Sequence, residues 1–178
     1  MQKIFLIGYM GSGKTTIGKS LAKKLHWQFV DLDLFIENRY RKKISEIFAE
    51  KGESGFRELE RNTLQEVVQY ENVVISTGGG APCFFDNMEL MNRLGYTIYL
   101  QVPIDELTKR LESCKHSRPL IKDKSLLEIK QFVAESLSAR ESYYNQASFI
   151  LNVGNLVKQQ DIDTIVNHLI LHIQKIKL

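Results

Sequence analysis

Glycine, lysine and threonine recur near the amino terminus at the spacing G-x-x-x-x-G-K-T, from Gly8 to Thr15. Glycines let a backbone wrap closely around phosphate oxygens, so that main-chain N–H groups point inward. Lys14 can then reach the outer phosphates as a point charge, and the Thr15 hydroxyl can bind Mg²⁺. The pattern therefore predicts a site for a nucleoside triphosphate and its metal ion. The residues predicted to contact the nucleotide here are Gly11, Ser12, Gly13, Lys14, Thr15 and Thr16.

Two carboxylates, Asp31 and Asp33, lie at the end of the apolar run Gln28–Leu32. In an extended chain, residues i and i+2 lie on the same side, so both carboxylates can face one edge of a sheet. One could support Mg²⁺, directly or through water, and the other could accept a proton or a hydrogen bond from a hydroxyl group. The alternative is that Asp33 caps a helix while Asp31 is merely exposed. The neighbouring phosphate-binding pattern favours the functional interpretation.

Three successive glycines, Gly78, Gly79 and Gly80, follow the apolar run Val73–Ser76. Each glycine costs conformational entropy, so three in a row predict a backbone that lies close against a ligand and offers N–H groups to it. Many phosphate-loop proteins have a metal-binding aspartate at this position, and this chain has none. Asp31 is therefore the better candidate for that role.

Two arginines, Arg57 and Arg140, occur in separate segments. A guanidinium group binds a carboxylate through two parallel hydrogen bonds, so this pair suits a small acid that also has hydroxyl groups. Taken singly, each arginine is more often a solvated surface charge.

Apolar runs alternate with amphipathic segments along the chain, which predicts a parallel sheet covered by helices on both faces, an α/β/α architecture with ligands at the carboxyl ends of the strands. Residues 33–61 interrupt the alternation with short helices and are expected to form an inserted substrate-binding region. Residues 112–124 are polar and are expected to form a mobile lid. We expect one domain over residues 1–178. The five predicted strands are Ile4–Ile7, Gln28–Leu32, Val73–Ser76, Thr97–Val102 and Phe149–Val153, and the clearest helices are Thr16–Lys24, Glu58–Tyr70, Met88–Leu94, Ile104–Leu111, Leu126–Tyr144 and Ile162–Lys175.

The composition is ordinary for a globular protein, with 43% hydrophobic and 25% charged residues among 178. A net charge of +3 is too small to predict nucleic-acid binding, although it suits an anionic ligand. No apolar stretch approaches the roughly 20 residues of a membrane span. Cys83 and Cys114 match no metal-ligand spacing. We therefore expect a cytoplasmic protein with reduced thiols and without a membrane or nucleic-acid partner.

These features together resemble the shikimate kinase family, and the resemblance extends almost from end to end. The Asp-x-Asp, Phe-Arg-x-x-Glu and Gly-Gly-Gly segments in this order are far more specific than the phosphate loop alone. The segments that resemble the family are Gly8-Tyr-Met-Gly-Ser-Gly-Lys-Thr-Thr-Ile-Gly-Lys-Ser-Leu-Ala, Phe29-Val-Asp-Leu-Asp, Ile44-Ser-Glu-Ile-Phe, Phe56-Arg-Glu-Leu-Glu, Ser76-Thr-Gly-Gly-Gly-Ala, Ile98-Tyr-Leu, Ser117-Arg-Pro-Leu, and Arg140 with Tyr143.

The resemblance implies ATP-dependent phosphorylation of the 3-hydroxyl of shikimate by a monomer with a five-stranded parallel sheet of the nucleoside-monophosphate-kinase type. It also implies roles for single residues. Asp33 contacts the reacting hydroxyl, Arg57 and Arg140 hold the substrate carboxylate, and Gly79, between Gly78 and Gly80, lends an N–H group. Thr15 binds Mg²⁺ with Asp31 nearby, while Arg118 of the lid meets the phosphates and Arg110 flanks the adenine. Lys14, Asp33 and Arg118 are the predicted catalytic residues.

The chain departs from the family pattern in two places. After Arg140 it reads Glu-Ser-Tyr-Tyr-Asn-Gln-Ala, where the family commonly has a Pro-Leu-Tyr segment. Residues 152–156 offer no basic side chain for the adenine. Two other functions remain open from the residues: a related kinase acting on gluconate or a nucleoside monophosphate, and a nucleotide-binding module without catalytic activity.

Overall fold

The computed structural model describes residues 2–154 and 159–176 of the chain. Strands and helices alternate along most of it. The strands are β1 (Lys3–Ile7), β2 (Gln28–Asp31), β3 (Val73–Ser76), β4 (Tyr96–Gln101) and β5 (Phe149–Asn152), and the helices are α1 (Lys14–Leu25), α2 (Leu32–Tyr40), α3 (Ile44–Val67), α4 (Asn87–Leu94), α5 (Ile104–Ser113), α6 (Leu126–Tyr144) and α7 (Gln159–Lys175).

The five strands form one parallel sheet in the order β2-β3-β1-β4-β5. Strands β1 and β3 lie inside the sheet, and every residue in them is buried. This burial explains why both read as continuous apolar runs rather than as alternating patterns. The predicted five-stranded parallel sheet is confirmed.

Helices pack on both faces of the sheet, so the core is divided in two. One half is formed with α1, α5, α6 and α7, and it includes Ile17, Leu111, Val133 and Leu169. The other half is formed with α2, α3 and α4, and it includes Ile36, Leu64 and Met91. The predicted three-layer α/β/α arrangement is therefore confirmed.

The end of the second strand differs from the prediction. Strand β2 stops at Asp31, and Leu32 already belongs to helix α2. The Asp31 carboxylate accepts a hydrogen bond from the backbone N–H of Leu34 at 3.3 Å and so caps that helix. Asp33 lies in the first helical turn and not in extended chain. The predicted same-side geometry of a strand is thus wrong, and the helix cap is Asp31 rather than Asp33.

The two irregular regions have more structure than the sequence predicts. Residues 33–61 contain α2 and most of α3, and α3 is kinked at Gly52, where the backbone is not helical. Within residues 112–124, two short 3₁₀ turns lie at Lys115–Ser117 and Pro119–Ile121. The Ile121 side chain is completely buried in the core, so the predicted lid is anchored at one apolar residue.

Across residues 2–154 and 159–176, none of the helices combines the length and the apolar character needed to span a bilayer. The predicted strand end at Val153 is one residue too long, and residues 155 and 156 of the segment 152–156 lie outside the described residues.

Candidate active site

The turn between β1 and α1 has the backbone that a phosphate-binding loop needs. Gly8, Gly11 and Gly13 have φ angles of +138°, +81° and +93°, which side chains with a Cβ rarely adopt. A Cβ at Gly8 would also lie only 2.8 Å from the carbonyl oxygen of Leu100. Gly13 precedes α1, whose first turn contains no acidic residue. The positive end of this helix is therefore free to attract an anion.

The Lys14 ammonium group lies inside this loop. Its Nζ donates hydrogen bonds to the carbonyl oxygens of Gly8 at 2.8 Å and Tyr9 at 2.9 Å. Burial lowers the pKa of Lys14 to about 8, although the carboxylates of Asp33 and Asp31 act in the opposite direction. A cation held away from water in this way interacts strongly with any anion that enters the loop.

Thr15 and Asp31 form the site's closest side-chain pair. The Thr15 hydroxyl donates to Oδ2 of Asp31 at 2.7 Å, which joins the start of α1 to the end of β2. Asp33 lies beside them, and burial raises the pKa of its carboxyl group, with a further increase from the charge of Asp31. The two aspartates thus face one site despite belonging to different elements.

These groups line a cavity of about 400 Å³ at the carboxyl ends of the strands. Of the predicted site residues, Ser12, Arg57, Gly78, Gly80 and Arg140 do not line this cavity, and the Ser12 side chain is completely buried. Four lining residues had no predicted role: Met10, Ser76, Thr77 and Ile162. The predicted residues that line the cavity are Gly11, Gly13, Lys14, Thr15, Thr16, Asp31, Asp33, Gly79, Arg110 and Arg118.

Arg57 is held tightly on α3 with only 9% of its surface exposed. Its Nη1 lies 2.9 Å from Glu60, and its Nη2 lies 3.1 Å from Glu53. The guanidinium carbon is 4.1 Å from the centre of the Phe84 ring, a cation–π contact. The guanidinium group is thus fixed and partly desolvated, and both of its Nη atoms already pair with carboxylates of the protein itself.

The glycine run makes room for side chains of the protein itself. A Cβ at Gly78 would lie 2.6 Å from Oε1 of Glu60 and 2.9 Å from Oδ1 of Asp33. A Cβ at Gly80 would lie 2.6 Å from Nη2 of Arg57. Of the three glycines, Gly79 alone lines the cavity. The structure thus places Gly79 at the cavity and charged side chains beside Gly78 and Gly80, and contact of the whole run with a ligand stays a prediction.

Glu60, the partner of Arg57, had no role predicted from the sequence. It is 1% exposed, and burial raises the pKa of its carboxyl group to about 7 in spite of the Arg57 charge. Its Oε1 has no hydrogen-bond partner among the described residues. The available signal was the spacing, because residues i and i+3 of a helix lie on the same face. Glu60 stands three residues after Arg57, which the sequence analysis did single out.

Arg140 reaches the glycine run from α6. Its Nη1 would lie 3.6 Å from a Cβ at Gly79, and its guanidinium carbon is 5.5 Å from the centre of the Tyr9 ring. Arg57 and Arg140 therefore approach the same short loop from two different helices, next to Gly80 and Gly79 respectively. The structure brings together the two arginines that the sequence analysis paired.

Two further arginines lie over the phosphate loop. Arg110 donates to the carbonyl oxygens of Gly11 at 3.2 Å and Gly154 at 2.5 Å, and it pairs with Glu106 at 2.8 Å. Arg118 lines the cavity, and its Nε donates to the Cys114 sulfur at 3.4 Å. The cavity thus has basic groups at its outer edge as well as within the loop.

Comparisons with known proteins show which family has this sequence and this fold. The family model described as shikimate kinase matches residues 10–170. A shikimate kinase from Parabacteroides distasonis is 54% identical over 169 residues, covering 95% of this chain and 98% of the relative. The crystal structure of shikimate kinase from Bacteroides thetaiotaomicron has a TM-score of 0.94 at 49% identity and covers 99% of both chains. Shikimate kinase from Acinetobacter baumannii in complex with shikimate has a TM-score of 0.85 at 31% identity, covering 98% of this chain and 94% of that one.

Proposed function

The chain belongs to the shikimate kinase family, and from this premise we propose that it transfers the terminal phosphoryl group of ATP to the 3-hydroxyl of shikimate. The observation that supports this most directly is the shared cavity. Lys14 and Thr15 lie at its phosphate-binding end, and Asp33 and Gly79 line the same space. A phosphoryl donor and a hydroxyl acceptor can therefore meet without a change of fold.

We propose that Asp33 acts at the acceptor hydroxyl. Burial and the neighbouring Asp31 charge both raise the pKa of Asp33, which makes its carboxylate a better proton acceptor than an exposed aspartate. Arg57 and Arg140 bind the substrate carboxylate, and the N–H group of Gly79 supports the ring hydroxyls. Arg57 is fixed by Glu53 and Glu60, and the Gly79 carbonyl is fixed by Tyr144, so this part of the acceptor site is arranged before transfer.

At the donor end, Lys14 balances the negative charge of the outer phosphates, and Arg118 approaches them from the lid. The Thr15 hydroxyl and the Asp31 carboxylate lie 2.7 Å apart and are oxygen donors of the kind that Mg²⁺ prefers. These two residues would hold the ion, which supplies a positive charge to the phosphates when bound. Arg110 lies beside the nucleotide, between Gly11 and Gly154.

A coupled ADP-release assay with Mg²⁺ and ATP tests the proposal, with shikimate, gluconate and AMP as separate acceptors. Turnover with shikimate alone supports it. Turnover with another acceptor would support the assignment of the phosphate-binding site and reject shikimate as the substrate. Binding of ATP without turnover on any acceptor would instead identify a nucleotide-binding module.

We further propose that the enzyme works as a monomer in the cytoplasm, with neither a nucleic-acid nor a membrane partner. The net charge of +3 supports small anionic ligands rather than nucleic acid. Light scattering coupled to size-exclusion chromatography would test the monomer, and a dimer mass at working concentration would reject it.

A further inference from the structure

The Tyr144 hydroxyl makes a long-range hydrogen bond to the glycine run. Tyr144 is the last residue of α6, and none of its surface is exposed. Its O–H donates to the carbonyl oxygen of Gly79 at 2.5 Å, across 65 residues of chain. Its ring packs against Tyr99, with the ring centres 4.9 Å apart. The side chain is therefore fixed by packing at one end and by this hydrogen bond at the other.

The three glycine carbonyl groups are held in different ways. Gly78 accepts from the backbone N–H of Ala81 at 3.2 Å, and Gly80 accepts from the backbone N–H of Cys83 at 2.8 Å. Both bonds are local and belong to the turn itself. The Gly79 carbonyl instead receives its bond from Tyr144, a side chain on a distant helix. Of the three glycine carbonyl groups, the one of Gly79 therefore depends on tertiary structure for its orientation.

A peptide group between two glycines turns easily, because neither neighbour has a Cβ to restrict it. The carbonyl of Gly79 and the N–H of Gly80 belong to one planar trans unit, so they point in opposite directions. When Tyr144 holds the carbonyl, the direction of the Gly80 N–H is fixed as well. Without the hydroxyl, the unit could rotate and alter the polar groups next to the acceptor end of the cavity.

Tyr144 also connects this peptide to Arg140. The two residues are four apart on α6 and lie on the same helical face. The Arg140 guanidinium is close enough to lower the pKa of Tyr144, although burial dominates and raises that pKa well above its usual value. The phenol therefore stays protonated and remains a hydrogen-bond donor at neutral pH. One hydroxyl thus ties Gly79 to the helix that bears Arg140.

We propose that Tyr144 is a positioning residue for the acceptor. Its hydroxyl sets the orientation of the Gly79–Gly80 peptide and the distance between that peptide and Arg140. The inference rests on the proposed function, which assigns to shikimate Arg140 and the N–H group of Gly79, the glycine whose carbonyl Tyr144 holds. It adds a residue that touches no reacting atom and acts through the groups that do.

The test compares Tyr144→Phe with Tyr143→Phe, the same loss of one oxygen at the neighbouring tyrosine, which is 36% exposed. We expect Tyr144→Phe to raise the KM for shikimate about 10-fold, as for loss of one hydrogen bond, and to leave the KM for ATP within about twofold. Tyr143→Phe should change neither. A wild-type KM for shikimate in Tyr144→Phe, or an equal rise in both KM values, would overturn the proposal.

Amide hydrogen exchange in the free protein separates this proposal from the proposed function. Exchange at Gly79 and Gly80 should be faster in Tyr144→Phe and unchanged in Tyr143→Phe, whatever the acceptor is. Unchanged exchange in both variants would reject the holding role even if shikimate is the substrate. Failure of the wild-type protein to phosphorylate shikimate, with faster exchange in Tyr144→Phe, would reject the substrate alone.

A second variant covers the case in which Tyr144→Phe does not fold. Tyr144→p-aminophenylalanine keeps the ring and a hydrogen-bond donor at the same position. We expect it to retain the wild-type KM for shikimate and wild-type exchange at Gly79 and Gly80. A folded variant of this kind with an increase in the shikimate KM of about 10-fold or more would overturn the proposal.

Discussion

The Gly80→Ala substitution tests whether Arg57 binds the substrate carboxylate. An added Cβ would lie 2.6, 2.8 and 2.9 Å from three atoms of the Arg57 guanidinium group, whereas ordinary contacts begin at 3.4 Å. The backbone of Gly80 is right-handed helical, with φ −87° and ψ −22°, so alanine fits it without backbone strain. The steric conflict therefore falls on Arg57.

To relieve the 2.6 Å contact, the guanidinium group would have to move by about 0.8 Å, which is the difference from an ordinary contact of 3.4 Å. It is held by Glu60 and Glu53 and lies against the Phe84 ring, so it cannot move freely. A misplacement of roughly 1 Å in a group that positions a substrate can reduce the rate about 100-fold. We therefore expect the KM for shikimate to rise about 30- to 100-fold, and the KM for ATP to stay within about twofold.

The assay is ADP release with shikimate varied at saturating ATP, and then ATP varied at saturating shikimate. Thermal unfolding shows whether each variant is folded. Gly154→Ala is the matched comparison, because an added Cβ there would meet no atom within 4 Å, and we expect it to leave the KM for shikimate within about twofold. A folded Gly80→Ala protein with a wild-type KM for shikimate would refute the role of Arg57 in binding the carboxylate.

Three other variants test the transfer step and the charges around it. Lys14→Met removes the buried cation of the phosphate loop, so kcat in the ADP-release assay should fall about 100- to 1000-fold; a near-normal kcat would mean that transfer occurs elsewhere. Asp33→Asn should lower kcat at least about 100-fold while calorimetry shows ATP binding almost intact, and normal turnover would reject its role. Because the pKa of Asp33 is raised and its ionised form is required, kcat/KM of the wild-type enzyme should fall as the pH drops through that raised pKa. The Glu60 carboxyl group has a pKa of about 7, so it is neutral below pH 7 and ionised above it. The ionised carboxylate competes with the substrate carboxylate for Arg57, so the affinity of the wild-type enzyme for shikimate should weaken as the pH rises through 7. Glu60→Gln should remove this dependence in a titration of shikimate binding from pH 6 to 8, and an unchanged pH profile in Glu60→Gln would contradict the assignment.

Much of the fold follows from local patterns. The continuous apolar runs at β1 and β3 predict buried parallel strands, because a strand covered on both faces has no polar side. The boundaries predicted for α6, Leu126–Tyr144, match the structure. Ser125 precedes its first residue and forms a capping box with Glu128 in the first turn, which is a local signal that the sequence itself contains.

The start of α2 could not be placed in the same way. Asp31 ends a strand and caps a helix at once, and the residue pattern of Phe-Val-Asp-Leu-Asp suits a longer strand equally well. Whether Leu32 continues the strand depends on the hydrogen bond from Leu34 to Asp31 and on the burial of Leu32 in the core. The hydrogen bond is local, but the burial of Leu32 is a tertiary fact, so the two carboxylates could be predicted at one site but not the geometry that joins them.

The glycine run shows a second limit of prediction from sequence. A glycine that lies against a ligand and a glycine that leaves space for a distant side chain look the same in a sequence. At Gly78 and Gly80 the neighbours are Glu60, Asp33 and Arg57, which are at least 18 positions earlier in the chain. The three glycines therefore differ in their surroundings. At Gly78 and Gly80 the missing Cβ leaves space for charged side chains, and Gly79 lines the cavity. Since Tyr144 fixes the carbonyl of that same glycine, the loop is oriented by its own turn hydrogen bonds together with a side chain from α6, while side chains from α2 and α3 pack beside it. Substitutions on those helices should therefore affect the acceptor end of the site as strongly as changes within the loop.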